Sequence, residues 1–170
     1  MVPFKHIVQE LERNHQLIPD LLHNISAEQQ IWKPRPDSWC LKEVICHLID
    51  EETLDFRFRT GFILEQPNTT PPPIDPVAWI TENRYMEQDF EKKIKEFKQE
   101  RTESLNWLKS LNEPNWELSF EHVKFGKMTA GYYLNNWLAH DYLHIRQIAK
   151  LKFDYLRTKS ESDLDYAGIW

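Results

Sequence analysis

Glycine is scarce, with 4 in 170 residues, which argues against a sheet-rich fold built on tight turns. No uninterrupted apolar run approaches the roughly 18 residues of a membrane span. The opening stretch, MVPFKHIVQELERNH, is charged throughout and lacks the apolar centre of a secretion signal. The two cysteines, Cys40 and Cys46, fall on one predicted helix. Their separation along it, about 9 Å, is too great for a disulfide. These absences predict a reduced, cytoplasmic protein with no membrane segment. A basic excess is missing as well. The formal charge is -6 with both signs interspersed, which argues against a nucleic-acid partner. HExxH is absent, so the metalloprotease helix motif is excluded, and there is no glycine-rich phosphate loop, CxxC pair or GxSxG elbow. Cys46 neighbours His47, but adjacent side chains diverge on a helix, so a Cys–His nucleophile is not expected there.

What the chain does have is helical periodicity. Apolar residues recur at helical spacing over residues 3–23, 41–64, 88–111 and 130–151. Pro19 lies inside the first of these and predicts a kink or local break. Ser26 and Gln29 suggest one short capped turn in the 24–39 connection, where Trp32 and Trp39 are placed to plug an end of the core. Residues 65–76 carry a proline run and read as a loop, followed by a short helical piece over 77–85. SFEHVKFG alternates weakly and predicts a short extended excursion. Four long amphipathic helices joined by long loops predict an all-α four-helix bundle over residues 1–151. Residues 152–170 read as a C-terminal extension, with Tyr166 to Trp170 available to dock on the body.

The chemistry lies with histidine. His140 and His144 are four apart, about 40° from each other around the fourth helix, and Gln147 points close to the same direction. Two imidazoles so placed can reach one metal ion. His47, at the edge of the apolar face of the second helix, is the third candidate. His6, His15 and His23 are scattered along the first helix and read as surface residues. Three neutral imidazoles on a divalent ion leave a position for water or substrate, as catalytic sites do. Zinc, nickel and iron all accept imidazole. Asp50, Glu51, Asp141 and Gln147 are near enough in sequence to orient the ligands by hydrogen bonding.

PDSWCLKEVICHLIDEE in the second helix and NNWLAHDYLHIRQIAKL in the fourth resemble the DinB/YfiT-like family of small metal-binding bundles. DPVAWITENRYMEQDFEKKIKEFKQER and FGKMTAGYYL fit it too, so the resemblance runs from about Lys5 to Leu151. Cys40 departs from it, standing where the family commonly has Ser. The resemblance implies an up-down-down-up bundle, often a homodimer, with one divalent metal on His47, His140 and His144. Zinc or nickel leads, with iron as a further choice. It does not supply a reaction, since similar members include thiol S-transferases, maleylpyruvate isomerases that use a low-molecular-weight thiol, and hydrolases. The family name refers to DNA-damage induction and is no sign of DNA binding.

The expected function is therefore a metal-dependent enzyme acting on a small molecule, a thiol-dependent transferase ahead of a hydrolase. A non-catalytic, stress-associated metal-binding bundle is the alternative. Arg101 raises a separate expectation. It sits between Phe97 and Leu105 on the stripe that faces the core, and a guanidinium cannot shed its charge. It should pair with Glu51 or Glu52, with Glu52 the better placed, or else lay its stem over the core and expose its head.

Overall fold

The computed structural model describes residues 3–168. Its first helix, α1 (Phe4–Leu22), buries Ile7, Val8, Leu11, Ile18 and Leu22 at the spacing of one helical face and continues through Pro19. A short helix, α2 (Ala27–Ile31), starts at Ser26, whose hydroxyl accepts the Gln29 N–H at 3.2 Å. The second long helix opens as α3 (Leu41–Asp50). Glu43 accepts the Cys40 N–H at 2.8 Å, so the start is held even though a cysteine stands where Ser or Thr caps better.

After Asp50 the winding changes. Glu51–Arg57 is π-helix, and α winding resumes in α4 (Phe58–Glu65). The expected single helix over 41–64 therefore has the right extent and the wrong winding. The next connection carries α5 (Trp79–Glu82). Asp50 ties it down, accepting from Tyr85 Oη at 2.6 Å and Asn83 Nδ2 at 2.7 Å.

Helix α6 (Phe90–Ser110) begins at Asp89, whose carboxylate accepts the Lys92 N–H at 2.8 Å. The predicted extended excursion is a small antiparallel hairpin of β1 (Ser119–His122) and β2 (Gly126–Thr129), with His122 opposite Gly126. Gly126 has φ +71°, a turn conformation that suits glycine. Thr129 caps α7 (Ala130–Lys159), accepting the Tyr132 N–H at 2.9 Å. The expected boundary at residue 151 thus falls inside α7, whose last turn carries Arg157 and Lys159 to complement the helix dipole. Tyr166 is exposed rather than docked, and residues 169–170 of that expected docking segment lie outside the described range.

The long helices pack on one another: α1 on α6 and α7, α3 on α6, and α4 on α7. One core cluster joins Ile18, Val44, Ile45, Phe97 and Ile148, with Trp32 and Trp39 against it as predicted. A second joins Leu11, Phe56, Leu108, Leu134 and Trp137. Each such side chain contributes about 1.5–3 kcal/mol on full burial. No helix among the described residues is long and apolar enough to cross a membrane. His6 and His23 are exposed, whereas His15 lies half-buried with Nε2 3.0 Å from the Lys98 carbonyl.

Candidate metal centre

Helix α3 and helix α7 bring three imidazoles together at the junction of the two core clusters. His47 comes from α3; His140 and His144 come from successive turns of α7. One ring nitrogen from each lies within 4.8 Å of the others. His47 Nε2 is 3.3 Å from His140 Nε2, and His144 Nε2 is 3.1 Å from the same atom. Imidazole nitrogens at about 2.0–2.1 Å from one tetrahedral ion lie about 3.3–3.4 Å apart, so this spacing fits a shared cation.

The proton inventory points the same way. His144 Nδ1 lies 2.7 Å from Gln147 Oε1, which can only accept, so the proton sits on Nδ1 and Nε2 offers a lone pair to the centre. His47 Nδ1 is buried with no hydrogen-bond partner. Lone pairs that converge at such distances repel unless a proton or a cation lies between them.

The walls are dry. Trp39 meets His47 edge-on at 4.7 Å between centroids and stacks at 6.5 Å on His144. Phe56 lies 5.1 Å from His140. Burial disfavours the imidazolium form. It pushes His47 down to about 3, helped by His144, and His140 down to about 2, helped by His144, His47 and Arg101. His144 is lowered by burial, against the opposing pull of Gln147 and Asp141. All three are neutral at physiological pH, the state that binds metal.

Of the four residues expected to orient the histidines, two lie beside them, and one of these makes a hydrogen bond. Gln147 holds His144. Glu51 Oε1 lies 3.6 Å from His47 Nε2. Burial, with Asp55 beside it, pushes the Glu51 carboxyl up to about 8. Asp50 and Asp141 serve elsewhere: Asp50 anchors the loop around Tyr85, and Asp141 grips Arg101.

Arg101 is itself buried at 1% exposure, and Glu52 is its partner as expected, at 2.8 Å from Nε. Asp141 completes a two-pronged bond, with its oxygens 2.7 and 2.8 Å from the two terminal nitrogens. Trp137 Nε1 donates to Glu52 at 2.8 Å, and Asn14 Nδ2 to Asp141 at 3.0 Å. Sequence reasoning missed Asp141 as an Arg101 partner. Its spacing held the signal, since Arg101 lies on the core stripe and Asp141 directly follows a core-edge histidine.

The DinB superfamily model matches residues 10–148 of this chain. The chain belongs to the DinB superfamily. A solved DinB-like structure, YfiT from Bacillus subtilis, matches with a TM-score of 0.77 at 19% identity, over 87% of this chain and 85% of that chain. It is described as "a probable metal-dependent hydrolase with an unusual four-helix bundle topology". At that identity the likeness establishes the helical-bundle fold. No curated protein matches the chain.

Proposed function

We propose that this DinB chain is a metal-dependent enzyme acting on a small molecule, with one divalent cation held by His47, His140 and His144. The observation that carries the reading is the convergence of three neutral imidazole nitrogens, one from a buried and two from half-buried histidines, with no carboxylate or thiol among the grouped ligand atoms. Three protein ligands are the pattern of catalytic sites, which keep a position open, and not of closed structural ones. A cation there supplies Lewis-acid polarisation and makes water or a thiol nucleophilic at neutral pH. Zinc and nickel lead as candidates, and iron follows, because all three accept imidazole.

The chain's own groups take the other roles. Gln147 fixes the His144 tautomer. Trp39 and Phe56 pack against His47 and His140 and limit the space around them. Glu51, beside His47, is placed to receive and return a proton. Hydrolysis of an ester or amide is the leading reaction, supported by the description of YfiT. Transfer to a low-molecular-weight thiol runs on the same groups and is the second reading. Cys40 and Cys46 are buried, Cys46 against Tyr85 and Trp79, so any reacting thiol arrives as a cosubstrate. The remaining elements of the proposal are an up-down-down-up helix order, a homodimer and a cytoplasmic setting.

Elemental analysis of untagged protein tests the centre. His144→Ala is expected to lose most of its metal while keeping its helical circular dichroism, and His15→Ala to keep its metal. Equal loss in the two variants refutes the assignment. Screening metal-loaded protein on simple esters and amides then separates the reactions. Turnover without thiol marks hydrolysis, and turnover only with thiol marks transfer. A fully loaded but inert protein marks the non-catalytic alternative.

A further inference from the structure

A cavity of about 1080 Å³ opens between residues 34–39 and α7. One of its walls belongs to the candidate metal centre, because Trp39, His144 and Gln147 line it. The other wall is cationic. Arg146, Lys150 and Arg157 lie four and seven residues apart, within about 40° of one another around α7. Arg35 joins them from residues 34–39.

Against these four cations the lining holds a single carboxylate, Asp154. That carboxylate is already engaged: its oxygens lie 2.7 and 2.6 Å from Lys150 Nζ, and Arg157 is 3.7 Å away. It braces the cations as much as it offsets them. Arg35 has only a loose 3.7 Å pair with exposed Asp37. The Arg146 side chain has no hydrogen bond or ion pair among the described residues. The cavity lining therefore carries a net +3, four cations less one carboxylate, in a chain whose formal charge is -6. A concave surface of one sign focuses the field and draws ions of the other.

We propose that this groove binds the anionic end of a small organic substrate, a carboxylate or a phosphate, whose remainder lies along Trp39 toward His144. Guanidinium forks match both acid groups. The volume suits a whole small molecule and not an anion alone, since ligand sites span about 300–1,000 Å³. The proposal relies on the metal-centre reading only for the reacting end.

The test uses the full, metal-free chain, so that no probe can act by chelation. Phenylphosphonate, benzoate and the neutral isostere benzamide are titrated while the Trp39 indole and Gln147 amide NMR signals are followed. Saturable shifts with the two anions and none with benzamide are expected, and the tighter anion identifies the acid group. The double variant Arg35→Gln/Arg146→Gln changes two exposed side chains that pair with no buried group and should keep its melting curve. It is expected to bind both anions about tenfold or more weakly, as loss of charge-assisted contacts requires. No saturable shift, equal binding of benzamide, or an unweakened double variant overturns the groove. Metal content is judged separately. Anion binding without metal binding retains the groove and refutes the metal centre, and metal binding without anion binding does the reverse.

Discussion

Two polar clusters share the interior of this bundle, and both draw on the same stretches of helix. Arg101, Glu52 and Asp141 form a charged group in which every strong donor and acceptor has a partner from the protein itself. His47, His140 and His144 form a neutral group in which three ring nitrogens face one another and His47 Nδ1 has no partner. Buried polar groups are normally satisfied, and an exception needs a reason. Completeness marks the first cluster as structure. Incompleteness, with the convergence of three imidazoles, makes the second the candidate site, although the two are linked through consecutive residues, Glu51 with Glu52 and His140 with Asp141.

The largest expected effect breaks the complete cluster. Arg101→Met leaves Glu52 and Asp141 buried without their cation, and removing one partner of such a group costs about 3–5 kcal/mol. Denaturant unfolding measures it. A loss below about 1 kcal/mol, the level of an exposed pair, would mean that the Arg101 cluster is not a buried, mutually satisfied unit.

Acid should separate the clusters next. His47 and His140 are held at about 3 and about 2 in the folded chain, against about 6.5 when unfolded. Below pH ~6.5 the unfolded state therefore binds more protons, and stability falls as pH drops from there toward 3. Each imidazole adds a slope of about 1.4 kcal/mol per pH unit. Glu51 opposes this, because its raised pKa lets the folded state hold an extra proton between the unfolded carboxylate range and about pH 8. The histidines outnumber it, so net stability of the metal-free protein is expected to decline between pH 6.5 and 4. His140→Leu should flatten that decline, and an unchanged slope by chemical unfolding would count against neutral burial of the trio. The simple expectation from free imidazole, metal loss near pH 5, moves to lower pH for as long as the fold holds.

The smallest effect sharpens the incomplete cluster. Gln147→Leu removes the acceptor that fixes the His144 tautomer but no ligand. Metal affinity should fall about 10–100-fold, the usual cost of losing such a support. A competition titration with a chromophoric chelator reads it, and an unchanged affinity would mean that His144 is oriented by its packing alone.

Much of this was legible in the sequence. The four long helices followed from the spacing of residues such as Ile7, Leu48, Phe97 and Leu134, since one-sided burial leaves a periodic trace. The histidine trio followed from the i,i+4 pair and one further core-edge His. Arg101 announced its pair with Glu52, because a permanent charge on an apolar stripe has few outcomes. The π winding at Glu51–Arg57 left no such trace: a seven-residue window is too short for its period to stand out from an α pattern. The end of α7 was missed because residues after Leu151 are mostly polar, and a buried position there is filled by Asp154, paired with Lys150 and Arg157, and not by an apolar residue. The cationic groove was hidden because its charges come from separate stretches, Arg35 and Arg146 to Arg157, that only the fold unites.

The change of winding after Asp50 has a consequence for what this helix can tolerate over evolutionary time. Glu51 and Glu52 are neighbours in the chain, both are buried, and each reports to a different cluster: Glu51 to His47, Glu52 to Arg101 and Trp137. More residues per turn bring successive side chains closer in direction, so two adjacent acids can both be sent inward. Loss of one residue that restored ordinary winding would nearly keep the register beyond it, since about six residues at 100° turn through roughly what seven π residues do, but it would widen the angle between adjacent side chains and turn one of those carboxylates away. Substitutions on the outer face of this stretch leave that arrangement alone, whereas a change in its length does not. The two clusters are thereby inherited as a single unit, tied to the number of residues in one helix as firmly as to their identity.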